Sequence, residues 1–309
     1  MIKKTKGEKL EMTNNVFSKI GFNYLTMAIV AIICQIIIVN IIHLANPIVL
    51  QDINILTAIT SVCNYLLPFP IFYWLMKKIE VENMEKQTLS IKTFILYAGI
   101  ALSLMWVGNT VGLFITDLLS GAIHNNIANP VQNLINNTNI WFNLIIISII
   151  APIFEELFFR KILIDRTIKY GANVSIVLSA VLFALFHGNL NQFCYALLLG
   201  GFLAYVYTQT GNIKYSIILH GIVNFMGSVV SLFVGQSAMH LQTGGTLLDA
   251  SLIMGYLLII FITLIIGFYG IAKFRPKKTE LPLKTIFLNY GMVCFIGFFI
   301  FEILRQILA

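Results

Sequence analysis

The chain has 309 residues, of which 58% are hydrophobic and 11% charged, and its mean hydropathy is +0.87. A soluble domain carries about 45–50% apolar and about 25% charged residues, so a water-soluble globule is excluded and an integral membrane protein is expected. The formal net charge of +7 is no sign of nucleic-acid binding, because the basic residues fall in the gaps between apolar runs.

A spanning helix takes about 20 mostly apolar residues. Residues 1–19 are polar and read as a flexible cytoplasmic tail. Helices one to three are expected at 20–43, 53–76 and 93–117, making residues 20–139 an accessory membrane region. The first is too long for a secretory signal core and no small-residue cleavage site follows it, so it reads as an uncleaved helix. Segment 78–92 mixes charges and reads as a partly helical cytoplasmic loop, while 118–139, with Asn125, Asn126, Asn129, Asn133, Asn136, Asn137 and Pro130, favours turns in an external loop. Helices four to seven are expected at 140–164, 173–187, 192–210 and 213–235, within a functional core of 140–235. A loop at 236–249 and helices at 250–272 and 285–308 complete the region 236–309. The fold class is therefore an all-α polytopic bundle of eight or nine transmembrane helices.

Basic residues assign an orientation. Lys77, Lys78, Lys86 and Lys92 follow helix two, Lys161, Arg166 and Lys169 cluster at the end of helix four, and Lys214 lies between helices six and seven. Lys273, Arg275, Lys277, Lys278 and Lys284 lie between the last two, whereas segments 44–52, 118–139, 188–191 and 236–249 contain neither Lys nor Arg. Positive charge marks the cytoplasmic side, which puts the N-terminus inside and the C-terminus, with Arg305, outside. Cys34, Cys63, Cys194 and Cys294 all fall in expected helices without metal-type spacing and read as packing residues.

Ionisable groups at membrane depth are unfavourable and usually mark a functional interior. In IISIIAPIFEELFFRKILI, Glu156 and Arg160 are four residues apart, with the acid on the N-terminal side, the favoured order for a helical ion pair. Glu155 is turned by about 100° and has no partner on its own helix, so it is left as the candidate general base. FALFH ends helix five with His187, and HGIVN puts His220 and Asn224 one turn apart on one face of helix seven. Fifteen residues of helix five rise only about 22 Å, short of a bilayer core of about 30 Å. The hairpin after it is thus expected to turn within the membrane, lowering His187 toward Glu155, His220 and Asn224 in one cavity open to the cytoplasm. Taken singly, each feature has a plain structural reading: a packing ion pair, an interfacial histidine, an asparagine joining helices. Their co-occurrence on three neighbouring helices is what points to a hydrolytic site.

The pattern Glu155-Glu156-x-x-x-Arg160, Phe183-x-x-x-His187 and His220-x-x-x-Asn224 resembles the three motifs of the CAAX prenyl protease 2 and bacteriocin-processing (CPBP, or Abi) family of intramembrane proteases. The resemblance covers roughly residues 140–230. It implies peptide-bond cleavage near the membrane surface, with Glu155 and His187 activating water and His220 and Asn224 stabilising the oxyanion, supported by Glu156 and Arg160. It also implies membrane-associated substrates such as prenylated or leader-type peptides and residence in a bilayer, for a bacterial chain the cell membrane. Two His and a Glu are the ligand types of a zinc site, with Glu155, His187 and His220 as its members. The motifs lack a HExxH helix, and a cofactor-free glutamate mechanism is the expectation. Two alternatives stay open: a non-proteolytic bacteriocin-immunity or scaffold protein of the same family, and a proton-coupled transporter, which lacks paired broken helices.

Overall fold

The computed structural model describes residues 6–273, 279 and 281–308, and every element among them is helical. In chain order they are α1 Lys6–Ala45, α2 Ile53–Met76, α3 Ile91–Ile123, α4 Pro130–Asn137, α5 Ile140–Tyr170 and α6 Ala172–Phe186, followed by α7 Leu190–Thr210, α8 Ile213–Gln242, α9 Leu247–Lys273, α10 Leu283–Phe287 and α11 Tyr290–Leu308. Eight of the helices are long and apolar enough to cross a membrane, and α6 is a shorter apolar helix. Large apolar side chains stay exposed on the outer faces of α1 and α9, among them Ile36, Ile41, Phe261 and Phe268, as lipid contact requires.

Several boundaries differ from the sequence expectation, each for a local reason. The polar stretch 1–19 is not a loose tail from residue 6 onward. There α1 is already helical, and Phe17 is fully buried because Gly21 and Gly291 let α1 and α11 touch backbone to backbone. Residues 1–5, and the basic cluster Arg275, Lys277 and Lys278, lie outside the described residues. Segment 78–92 holds no helix before Ile91. It runs extended over the ends of three helices, its amides satisfied by Glu82 N–H donating to the Asp165 carbonyl (2.7 Å), Gln87 N–H to the Thr210 carbonyl (2.8 Å) and Leu89 N–H to the Tyr215 hydroxyl (2.9 Å). The expected loop 118–139 is largely taken up by the end of α3 and by α4, which Asn129 caps from its side-chain oxygen. The final run is broken at Leu288 and Asn289, where Asn289 Oδ1 accepts from Met292 N–H and starts α11.

Two large apolar clusters, with a smaller third around Ile164, Ala204 and Tyr207, hold the bundle. One joins α1, α2, α5, α6 and α11 around Tyr24, Phe72, Phe158, Phe159, Phe183 and Phe295. The other joins α3, α7 and α8 around Met105, Leu199, Leu203 and Leu219. Gly108 and Gly112 bring α3 against α7 so closely that a Cβ on Gly108 would stand 2.5 Å from the Tyr195 Cα. The site lies between these clusters.

Candidate active site

Helix α5 is widened into π turns at Asn143–Ile150 and again at Leu157–Ile162, on either side of the two acids. The first widening has a consequence that can be traced atom by atom. Ala151 N–H donates to the Ile146 carbonyl, and the next residue, Pro152, has no N–H for Ile147. The Ile147 carbonyl instead accepts the Asn224 Nδ2 amide at 2.9 Å. Helix α8 approaches at this point because Gly221 has no side chain, a Cβ there standing 3.1 Å from the Ser148 carbonyl. Asn224 is thus fixed by a proline on another helix.

The adjacent acids are separated as the helical period requires. Glu156 is fully buried, with Oε1 2.9 Å from His220 Nδ1 and Oε2 3.1 Å from Arg160 Nε. The Arg160 contact is electrostatic rather than an aligned hydrogen bond, and neither terminal nitrogen of its guanidinium has a hydrogen-bond partner among the described residues. Its carbon stands 4.4 Å from the Phe183 ring centroid, so the ring face shares in holding the cation. Glu155 keeps 16% of its side chain exposed. Its Oε1 accepts a 2.7 Å hydrogen bond from the Tyr65 hydroxyl, and its Oε2 is 3.6 Å from His220 Nε2, too long for a direct hydrogen bond. His220 therefore lies between two carboxylates, one on each ring nitrogen.

His187 follows the last residue of α6, and Gly188 at φ +61° turns the chain into α7. The His187 Nδ1 lies 2.7 Å from the Phe183 carbonyl. A carbonyl can only accept, so Nδ1 carries the proton and Nε2 keeps its lone pair. The Phe183 ring meets His187 edge-on at 4.7 Å and His220 edge-on at 5.7 Å, forming the wall common to both imidazoles.

Glu155, His187, His220 and Asn224 all line one cavity of about 810 Å³. It is walled by α1, α2, α3, α5, α6, α7 and α8, and by Asn129 and Gln132 from the α4 region, Tyr256 from α9 and Glu302 and Arg305 from α11. The expected opening toward the Lys-rich end is corrected. The lining reaches the opposite end, where Gln132 and Arg305 are exposed, and includes nothing from residues 77–90 or 211–214. The physical reason is that α5 continues to Tyr170, which leaves Glu155 midway along its helix, and that the α6–α7 hairpin bearing His187 belongs to the Lys-poor end. The four expected residues do converge, while Glu156 does more than neutralise Arg160, since it also orients His220. Tyr65 was missed because one tyrosine in an apolar run carries no signal. Phe183 stood in the motif with no role attached.

Glu155, His187 and His220 are the side chains that would hold a metal, and each imidazole has its Nε2 left for the cavity, because a carbonyl or carboxylate on Nδ1 is the usual setting of a metal-bound histidine as well as of a metal-free one. Among the described residues, however, no three His, Cys, Asp or Glu side chains are grouped closely enough to hold a metal ion.

Residues 136–226 match the family model described as type II CAAX prenyl endopeptidase Rce1-like. All the motif residues fall inside that segment, which bears out the resemblance there, and supports intramembrane proteolysis at the level of the family. No curated protein and no solved structure matches the chain. With eight apolar helices and this segment, the chain is a multi-pass integral membrane protein.

Proposed function

We propose that the chain is an endopeptidase that hydrolyses peptide bonds of membrane-associated polypeptides with water activated by Glu155 and His187. The observation that carries the reading is Glu155 itself, a largely buried carboxylate that still reaches the cavity wall and whose own helix offers it no cation, in a cavity shared with His187, His220 and Asn224. Water is a poor nucleophile and needs a base within hydrogen-bond reach. In this reading the His187 Nε2 lone pair accepts one water hydrogen and orients the molecule, and Glu155 takes the proton as the oxygen bonds to the carbonyl carbon. The oxyanion that forms is met by His220 in its doubly protonated form through Nε2–H, and by the second Asn224 amide hydrogen, the first being held by Ile147. Such donors contribute about 2.7–4 kcal/mol each in known oxyanion holes. As the C–N bond breaks, Glu155 returns its proton to the leaving amine.

The test is Glu155→Gln, which keeps shape and removes the base. Membranes of cells making this variant should accumulate one or more intact peptides that wild-type protein cleaves, read by mass spectrometry, with unchanged amounts of inserted protein. Identical peptide profiles would sink the reading and favour the non-proteolytic scaffold or immunity role.

A further inference from the structure

The cavity and the basic residues lie at opposite ends of the bundle. Lys77, Lys78, Lys86, Lys169 and Lys214 lie in or beside the connections of one end, whereas the connections 46–52, 124–129 and 243–246 at the other carry no Lys or Arg. Arg305, the one described cation near the cavity mouth, is paired with Glu302 through Nε at 3.1 Å and through Nη2 at 2.6 Å. Toward the Lys-rich end the site is closed twice. The buried Glu156–Arg160 pair lies below it with Phe158, Phe159 and Phe183, each about 1% exposed, and the hydrogen-bonded segment 79–90 crosses the helix ends beyond. Basic residues mark the cytoplasmic face, so the route to Glu155 runs from the other face.

The wall chemistry narrows what takes that route. Apart from Glu155 and the two imidazoles, its charges are the mutually paired Glu302 and Arg305. The remaining polar lining is rich in carboxamides: Asn64, Asn109, Asn129, Gln132, Asn191 and Gln192. Asn64 and Asn109 are half-buried and have no hydrogen-bond partner among the described residues. A carboxamide both donates and accepts, which complements a peptide unit, whereas the wall holds no unpaired cation for an acidic side chain and, for a row of basic ones, only the single carboxylate of Glu155.

We propose that the site takes an uncharged, extended polypeptide segment presented from the non-cytoplasmic side of the membrane. What becomes of the segment rests on the peptidase reading above, but the side of entry does not. The test uses full-length chains with the four native cysteines replaced and one new cysteine: Gln132→Cys at the cavity mouth, Ser231→Cys on the wall, or Lys86→Cys at the other end. A sulfonated, membrane-impermeant maleimide added to intact cells should label the first two, and Lys86→Cys only after permeabilisation. Labelling of Lys86→Cys in intact cells, or of Gln132→Cys only after permeabilisation, overturns the proposal. An end-blocked hexapeptide of alternating leucine and asparagine, added outside at a few times its Kd, should slow Ser231→Cys labelling by about three-fold or more, and one of alternating leucine and lysine should not. Equal protection by both peptides, or by neither, overturns the uncharged-segment assignment. If the cysteine-free chain does not accumulate, an epitope inserted after Gly244, where an added side chain would meet nothing within 4 Å, reads the same side by antibody binding to intact cells. Glu155→Gln should retain both labelling and protection while losing hydrolysis. Hydrolysis surviving in that variant would remove the peptidase reading and leave the entry side standing.

Discussion

Tyr65 donates its hydroxyl to the one carboxylate that the chemistry needs free, at 2.7 Å from a helix outside the matched segment. A hydrogen bond to a charged group is worth about 1.5–3 kcal/mol. On the proposed reaction this bond holds one oxygen and leaves the other to act as the base. Tyr65→Phe keeps the ring that stacks on Phe154 at 5.7 Å and removes only the donor. The expected result is a fall in kcat of about ten-fold or more with KM nearly constant, measured by steady-state hydrolysis. A rise in KM alone would make Tyr65 a binding residue instead. Glu156 is tested differently, because its burial makes the charge itself structural. Glu156→Gln leaves the fully buried Arg160 uncompensated, and breaking a buried pair this way removes about 3–5 kcal/mol of stability. The double change Glu156→Gln with Arg160→Met should recover most of the thermal stability without the activity, since His220 still lacks the carboxylate on Nδ1. Activity returning with stability would show that Glu156 acts only as a counter-ion.

At the scale of the element, α5 is the part of the chain least like a regular helix, and Pro152 is the residue that ties one of its irregularities to the site. Pro152→Ala restores an N–H that the Ile147 carbonyl can accept, which competes with the Asn224 amide now bound there. Turnover should drop by about 100-fold, the lower end for loss of an oriented oxyanion donor, with no loss of melting temperature. Turnover unchanged would mean that Asn224 does not need this anchor. The extended segment after α2 depends on Gly211, which sits at φ +57° with the Glu85 carbonyl 2.5 Å from where a Cβ would be. Gly211→Ala should lower stability by about 1–2 kcal/mol or more, and faster amide exchange at Glu82 and Gln87 would locate the damage. The existence of these helices was legible from apolar run lengths, and Glu155 and Glu156 were told apart by the 100° step between them. The π turns were not legible, because they replace one hydrogen-bond register by another without changing the apolar pattern. The extended course of 79–90 was hidden for a similar reason: its amides bond to Asp165, Thr210 and Tyr215, far along the chain.

For the molecule as a whole, the glutamate mechanism predicts that hydrolysis by purified protein survives strong chelation. Loss of hydrolysis on chelation, restored by zinc, would instead assign Glu155, His187 and His220 as ligands. By itself the sequence determined that the chain is a helical membrane protein, and which polar residues are candidates for its chemistry. Both follow from local quantities, since the length of an apolar run sets what can span a bilayer and the helical period sets which side chains share a face. The tertiary structure alone decided that those residues meet, that Tyr65, Phe183 and Glu156 position them, and that the cavity reaches the Lys-poor end of the bundle. Those facts depend on how helices cross and how deep each one sits, and such distances are set by packing between residues remote in sequence.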